Sequence, residues 1–290
     1  MTPRTRARAD AATSPVGTTI ALEAEDGHRY ELLACIPDAP QRSLLWLPAL
    51  GVGARHYLPF ARALAARGVA TFLHEWRGAG SSSLRAGRDC DWGYRELLEL
   101  DVPTSTDAVR RTCPGTPSIL GGHSLGGQLA CCRLALDPDA ARQLWLVASG
   151  APYWRAFPLP HRLWLPMAYR FLPWLAERNG ALPGRKLGFG GREARGVMRD
   201  WARSALTGRY AAAGLDTDLE AGMTAVRAQV RAVTFQRDWL APPSSLRHLV
   251  SKLPDAGTDT TSFDDGSLGA RADHFQWMRT PGPVAEWLSR

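Results

Sequence analysis

The chain has 290 residues, a formal net charge of +7 and a globular composition, with 45% hydrophobic and 22% charged residues. This length can bury a large core, either as one α/β domain or as a domain with an insertion. The basic residues are spread along the chain without a dense block beyond the N-terminus, which argues against a nucleic-acid-binding protein. No apolar run is long enough to span a bilayer, so we expect no transmembrane segment.

The five cysteines have neither metal-ligand spacing nor redox-motif spacing, and Cys131 and Cys132 are adjacent on a helical pattern. We therefore expect free, mostly buried thiols and a cytoplasmic location. Residues 1–17 are basic but lead into no apolar segment. This argues against a secretory signal and predicts a short disordered tail.

Beyond this tail, strand patterns alternate with helix patterns. An Asp26-Gly27 hairpin signal joins the first two strands. The predicted strands are 18–25, 29–36, 43–48, 69–76, 118–121, 143–148, 229–235 and 258–263. The predicted helices are 57–67, 94–109 with a break before Pro103, 125–136, 243–253 and 283–288. Such alternation predicts a mostly parallel sheet flanked by helices.

The composition changes at Gly150, and residues 151–228 are rich in Trp, Pro, Arg and Gly without an evident strand run. Helix patterns are present at 163–176 and 193–204. We interpret this stretch as a helical cap inserted between core segments 18–150 and 229–290. Apolar aromatic surface is typical of a lid over a pocket. A helical elaboration without substrate contact is the alternative.

The segment 118–130 combines an apolar strand, the sequence Gly122-His123-Ser124-Leu125-Gly126 and a small-residue helix pattern. This is the strand–turn–helix context of a Gly-x-Ser-x-Gly nucleophile elbow. Side chains two residues either side of Ser124 would clash in so tight a turn, which explains the glycines. The amino end of the following helix favours developing negative charge. The alternative is a serine that only caps the helix.

A serine nucleophile needs a base and a carboxylate that holds the base. The chain offers Ser124, Asp238 and His274 in the order found in α/β-hydrolases, each just after a predicted strand. The competing aspartates are Asp216, Asp218, Asp264 and Asp265. The competing histidines are His28, His56, His74, His123, His161 and His248.

The oxyanion needs backbone N–H donors, and the first should come from Leu125, directly after the nucleophile. The second should come from the loop after strand 43–48, where Gly51 permits a close backbone approach. We choose the N–H of Val52 first and that of Leu50 second. The candidate substrate contacts are His123, Leu50 and Trp154, although the position of His123 within the elbow favours packing beneath it.

Together, Pro48-Ala49-Leu50-Gly51-Val52, Arg77-Gly78-Ala79-Gly80-Ser81, the elbow, Asp238 and Asp273-His274-Phe275 resemble an α/β-hydrolase. They are similar to bacterial predicted hydrolases of the serine aminopeptidase and monoacylglycerol lipase-like group, over residues 18–288. The segment Gly188-Phe189-Gly190-Gly191-Arg192-Glu193 is similar to that of uncharacterised members. The resemblance implies an esterase-like serine hydrolase with a helical cap. Many relatives carry His-Gly where this chain has Leu50-Gly51.

We expect this enzyme to hydrolyse a small-molecule carboxylic ester through an acyl-enzyme, with an apolar acyl or aromatic group facing the Trp-rich cap. The alternatives are an acyltransferase on the same triad and a non-catalytic ligand-binding protein of this fold. The sequence contains no paired-Cys or His-x-x-x-His ligand set, no phosphate loop and no dinucleotide fingerprint. We therefore predict neither a metal nor a cofactor, and the oligomeric state stays open.

Overall fold

The computed structural model describes residues 17–290, so the predicted tail lies outside the described residues except for Gly17. The strands are β1 Gly17–Glu23, β2 Arg29–Cys35, β3 Arg42–Leu47, β4 Val69–Leu73, β5 Ser118–His123, β6 Gln143–Val147, β7 Leu182–Pro183, β8 Arg192–Glu193, β9 Gln229–Phe235 and β10 Thr258–Phe263. Eight of them form one sheet in the order β1-β2-β4-β3-β5-β6-β9-β10, and β7 pairs with β8. The β1–β2 and β2–β4 pairs are antiparallel, and all other pairs of the large sheet are parallel.

Helices cover both faces of this sheet, and further helices lie in residues 151–228. In chain order the helices are α1 Leu58–Ala65, α2 Tyr94–Glu96, α3 Val102–Thr112, α4 Leu125–Leu136, α5 His161–Asn179, α6 Gly184–Leu187, α7 Arg195–Thr207, α8 Leu219–Thr224, α9 Pro243–Val250, α10 Asp265–Leu268 and α11 Gly282–Ser289. Residues of α1 and α11 pack in one apolar cluster, and residues of α3, α4 and α9 pack in another. The predicted fold class, a mostly parallel sheet between helices, is therefore confirmed.

The strand β3 shows how the sequence produces this layered core. Its apolar residues alternate between the two clusters, with Leu44 and Trp46 in one and Leu45 and Leu47 in the other. Successive side chains of a strand point to opposite faces, so an unbroken apolar run fits a strand that is covered on both sides. All four side chains are buried, as the sequence pattern predicts.

The predicted break before Pro103 is wrong. A π-helical turn at Leu97–Asp101 joins α2 to α3 instead. Pro103 lies in the first turn of α3, where its missing N–H does not interrupt the helix. The wider turn buries the carboxylate of Asp101, which lies 3.0 Å from His28 Nδ1 and accepts hydrogen bonds from Arg77.

Residues 151–228 contain the four helices α5 to α8, which confirms their helical character. The sequence analysis missed the β7–β8 pair, because two strands of two residues each leave no period to detect. We call residues 151–228 the insertion segment, and its bounds as a domain stay predictions. Within the described part of the chain, no helix has the length and apolar character needed to cross a membrane.

All five cysteines are free thiols, and four of them are buried. Burial raises the pKa of Cys131 to about 12, so this thiol stays protonated at neutral pH. The expectation of free, mostly buried thiols is therefore confirmed.

A buried histidine in this core gives the fold a predictable response to acid. Burial lowers the pKa of His74 from 6.5 to about 4, and the nearby charges of His28 and Arg77 act in the same direction, against Asp101. The unfolded chain therefore takes up this proton at a higher pH than the folded chain. The stabilisation is complete above pH 6.5 and is lost as the pH falls towards 4, by about 3 kcal/mol in all.

Urea unfolding at a series of pH values would measure this effect. We expect the free energy of unfolding to fall less steeply between pH 6.5 and 4 in His74→Gln than in the wild type. The other buried histidines are present in both proteins, so the difference between the two curves reports the proton uptake that depends on His74, including its coupling to His28. Parallel curves for the two proteins would contradict the prediction.

Candidate active site

Ser124 lies at the sharp turn between β5 and α4. Its φ is +54° and its ψ is −117°, a strained conformation for a non-glycine residue. A Cβ at Gly122 would collide with the backbone of Gly126, and a Cβ at Gly126 would collide with the Leu47 carbonyl. The close packing that the elbow motif predicts is therefore present. Only glycine fits two residues before and two residues after the serine.

Asp238 and His274 lie next to each other at the same edge of the sheet. His274 Nδ1 is 2.7 Å from Asp238 Oδ2, and both residues are about 95% buried. The other carboxylate oxygen accepts the N–H groups of Leu240 at 2.9 Å and Ala241 at 3.0 Å. Both carboxylate oxygens of Asp238 are thus hydrogen-bonded. When His274 donates from Nδ1–H, its Nε2 is the free acceptor of the ring.

Ser124 and His274 line one cavity of about 400 Å³. Within residues 17–290, no hydrogen bond of 3.5 Å or less joins Ser124 Oγ to the His274 ring. Such bonds are often long without substrate and tighten in the Michaelis complex. The structure therefore brings the three predicted residues to one site, with the serine and histidine facing the same space.

The competing residues have other positions. Asp218 and Asp264 cap α8 and α10, Asp265 pairs with Arg237, and Asp216 is exposed. The remaining histidines lie in the buried network (His28, His74), on the surface (His56), against Trp239 (His161) or against Tyr153 (His248). Asp238 alone among the candidate aspartates contacts His274 in the described chain.

The expected oxyanion donor Val52 needs correction. Its N–H donates to the Ala49 carbonyl at 3.1 Å, which closes a turn, and Val52 is not among the residues that line the cavity with Ser124. The N–H groups of Leu50 and Leu125 find no acceptor among residues 17–290, and both residues line the cavity with Ser124. Leu50, the second choice from the sequence, therefore replaces Val52 as the candidate donor.

Of the three predicted substrate contacts, the structure brings only Leu50 to the cavity. His123 is fully buried, and its Nδ1 lies 2.8 Å from the Tyr57 hydroxyl. As the last residue of β5, it points to the sheet face that carries the Trp277 cluster, so it packs beneath His274. Trp154 lies in a short turn under the Arg155 guanidinium and does not line the cavity.

Other aromatic residues line the cavity instead of His123 and Trp154. The aromatic residues that line it are Phe157, Trp164, Tyr169, Phe171, Phe189, Trp201, Trp239 and Phe275. Six of these belong to the insertion segment, as its Trp-rich composition suggests for a lid. Trp239 follows Asp238 directly in the sequence, and that adjacency is the one signal that could have identified it.

The insertion segment also contacts the backbone of the loop that holds the Leu50 N–H. We call residues 49–53 the oxyanion loop and residues 188–191 the glycine strap. Gly51 has φ +73°, and a Cβ there would collide with the backbone of Gly190 and Gly191. The Gly191 N–H donates to Glu193 Oε1 at 2.6 Å, and burial raises the pKa of Glu193. The hydrogen bond to Glu193 thus fixes the glycine strap, and the strap packs against the oxyanion loop.

A family model described as serine aminopeptidase, S33, matches residues 38–261. The chain belongs to this family. The resemblance inferred from the sequence motifs is therefore confirmed. In the part of this S33-family chain that the structure describes, no group of three or more His, Cys, Asp or Glu side chains is arranged to hold a metal ion.

Solved structures with the same fold include several hydrolases. An esterase from Exiguobacterium antarcticum is 15% identical, with a TM-score of 0.66 over 93% of this chain and 98% of its own. DcsB, solved with its substrate analogue, is 13% identical, with a TM-score of 0.65 over 94% and 98%. The thioesterase domain from the curacin biosynthetic pathway is 16% identical, with a TM-score of 0.61 over 95% and 100%.

A search of the curated proteins finds no match. At these identities the solved structures establish the fold, and the S33 family model establishes the class of protein. The chain is an α/β hydrolase, as the order of its motifs predicts.

Proposed function

We propose that this S33-family protein hydrolyses small carboxylic esters with an apolar or aromatic acyl group, through Ser124, His274 and Asp238. One observation carries the proposal. A strained serine opens onto an apolar cavity of about 400 Å³ together with a histidine whose Nδ1 lies 2.7 Å from a buried carboxylate. Nucleophile, base and base-orienting group are the parts that acyl transfer through serine requires.

In this mechanism, His274 Nε2 takes the Ser124 proton as Oγ attacks the acyl carbon. The N–H groups of Leu125 and Leu50 stabilise the oxyanion, and Asp238 stabilises the imidazolium. Collapse of the tetrahedral intermediate breaks the ester C–O bond, and His274 returns the proton to the leaving alcohol. A water molecule, deprotonated by His274, then attacks the acyl-enzyme. The bond between the acyl carbon and Ser124 Oγ breaks, His274 returns the proton to Oγ, and the carboxylic acid is released.

The insertion segment acts as the cap in this proposal. Its aromatic and aliphatic side chains line the cavity and would exclude water from the acyl group. We propose no metal, cofactor or nucleic-acid partner. The cytoplasmic location stays a prediction.

A series of p-nitrophenyl esters of increasing acyl length tests the substrate class. We expect kcat/KM to rise by up to about fourfold per methylene until the cavity is full, as burial of each CH₂ contributes about 0.8 kcal/mol. Trp201→Ala, in the cavity wall, should weaken this dependence. Trp174→Ala, on the exposed face of α5 and outside the cavity, is the matched control.

Equal rates for acetate and longer esters would contradict the apolar acyl site. Product analysis with an added alcohol or thiol acceptor separates hydrolysis from transfer. Free acid as the product supports the proposed hydrolase. A new ester or thioester would indicate the acyltransferase alternative instead.

A further inference from the structure

Two hydrogen-bonding side chains of the cavity have no part in the triad chemistry. Gln128 lies on α4 one turn after Ser124, and Tyr169 lies on α5 in the insertion segment. Both residues line the cavity, although they are only 5% and 3% exposed. A buried amide and a buried hydroxyl in a largely apolar wall need hydrogen-bond partners.

The orientation of Gln128 follows from its neighbour Tyr210. The Tyr210 hydroxyl is buried and donates to Gln128 Oε1 at 3.3 Å. This bond assigns the amide oxygen to Tyr210 and turns Nε2 away from it. Gln128 Nε2 donates to no group in residues 17–290, and it is not among the fully buried atoms that lack a hydrogen-bond partner. Because Gln128 lines the cavity, we infer that Nε2 is the group that reaches this space.

The Tyr169 hydroxyl is placed in a similar way. Its ring packs edge-on against Trp201 with ring centroids 5.0 Å apart, which fixes its direction. Burial raises the pKa of Tyr169, so the hydroxyl stays protonated and can donate at neutral pH. In the described chain it makes no hydrogen bond, and like Gln128 Nε2 it is open to the cavity.

These donors make a pure hydrocarbon chain a poorer fit than a chain of the same length that carries an oxygen acceptor. Such a substrate would displace the water from Gln128 and Tyr169 and leave their donors unpaired in a low-dielectric space, which is unfavourable. A substrate oxygen at the same place would restore the hydrogen bonds. Sites built around buried donors discriminate strongly against analogues that lack the acceptor.

We propose that Gln128 Nε2 and the Tyr169 hydroxyl bind a carbonyl oxygen within the acyl chain, so that the preferred substrates are oxo-acyl esters rather than simple fatty acyl esters. The inference rests on the proposed function. The backbone of Gln128 lies about 6 Å along the helix axis from that of Ser124. The test therefore places the ketone at about the fifth acyl carbon.

The test compares p-nitrophenyl hexanoate with the same ester carrying a ketone at the fifth carbon. We expect a kcat/KM about tenfold higher for the keto ester in the wild type. Gln128→Met, which keeps the side-chain length, should remove the preference, and Tyr169→Phe should reduce it. Gln236→Met, on the exposed surface, is the control and should retain the full preference.

Binding to Ser124→Ala separates this inference from the proposed function. The methyl esters of the same two acids are titrated by calorimetry, and the keto ester should bind about tenfold more tightly. If the wild type hydrolyses neither ester but the tenfold difference in Kd persists, the hydrolase proposal fails and the carbonyl site stands. Equal kcat/KM values, or equal Kd values where no hydrolysis occurs, overturn the carbonyl site.

Discussion

Replacing Asp238 by asparagine is expected to lower kcat for ester hydrolysis by about 10⁴-fold. The Leu240 and Ala241 N–H groups bind Asp238 Oδ1 in the wild type, so the asparagine oxygen keeps that place. The asparagine NH₂ then faces His274 Nδ1. The ring must accept at Nδ1 and carry its proton on Nε2, so it cannot take the proton of Ser124.

The matched control for this substitution is Asp216→Asn, because Asp216 is exposed and is one of the competing aspartates in the sequence. It should leave kcat unchanged. Thermal unfolding of both variants would verify that they are folded before kcat is measured. A folded Asp238→Asn protein with more than about a tenth of wild-type kcat would remove Asp238 from the proposed mechanism.

The second prediction concerns the contact between the oxyanion loop and the glycine strap. Gly51→Ala is expected to lower kcat by about 10²- to 10³-fold, the typical effect of losing one oxyanion donor. The new Cβ would collide with the backbone of Gly190 and Gly191, and φ at this position is +73°. The oxyanion loop must therefore move, and the Leu50 N–H moves with it. KM should change much less than kcat, because the donor acts on the transition state.

Gly27→Ala separates backbone strain from this collision. Gly27 has φ +81° in the β1–β2 turn, and nothing lies within 4 Å of a Cβ built there. The control should therefore lose some stability and keep its kcat. If Gly51→Ala folds and retains wild-type kcat, the strap does not set the position of the oxyanion donor.

The sequence was sufficient to identify Ser124, Asp238 and His274 as one candidate site because its signals are mostly local. The glycines around Ser124 specify a turn, and Asp238 and His274 each follow a strand or loop that the chain order places at one sheet edge. The strand β9 is predicted at residues 229–235, where the structure has it. Backbone geometry that follows from a short motif can be inferred without knowledge of distant contacts.

The missed features depend on contacts between distant parts of the chain. Nothing near Gly51 in the sequence indicates that the backbone of Gly190 and Gly191 packs against it. The position directly after Gly51 favours Val52 as the donor, but the Val52 N–H closes a turn with Ala49 that the residue types do not specify. Trp154 fits the aromatic composition expected of the cap, but it lies outside the cavity with the Arg155 guanidinium over its ring. The composition therefore predicts an aromatic cavity wall but not which residues form it.

Labelling with a fluorophosphonate, followed by intact-mass and peptide mass spectrometry, tests most directly whether Ser124 is an activated nucleophile. The wild type should gain a single adduct on Ser124. The rate of labelling should fall by at least about 10³-fold in His274→Ala and stay unchanged in the exposed-surface control His56→Ala. A folded wild-type protein that gains no adduct, or that labels equally fast without His274, would contradict the triad and favour a ligand-binding protein of this fold.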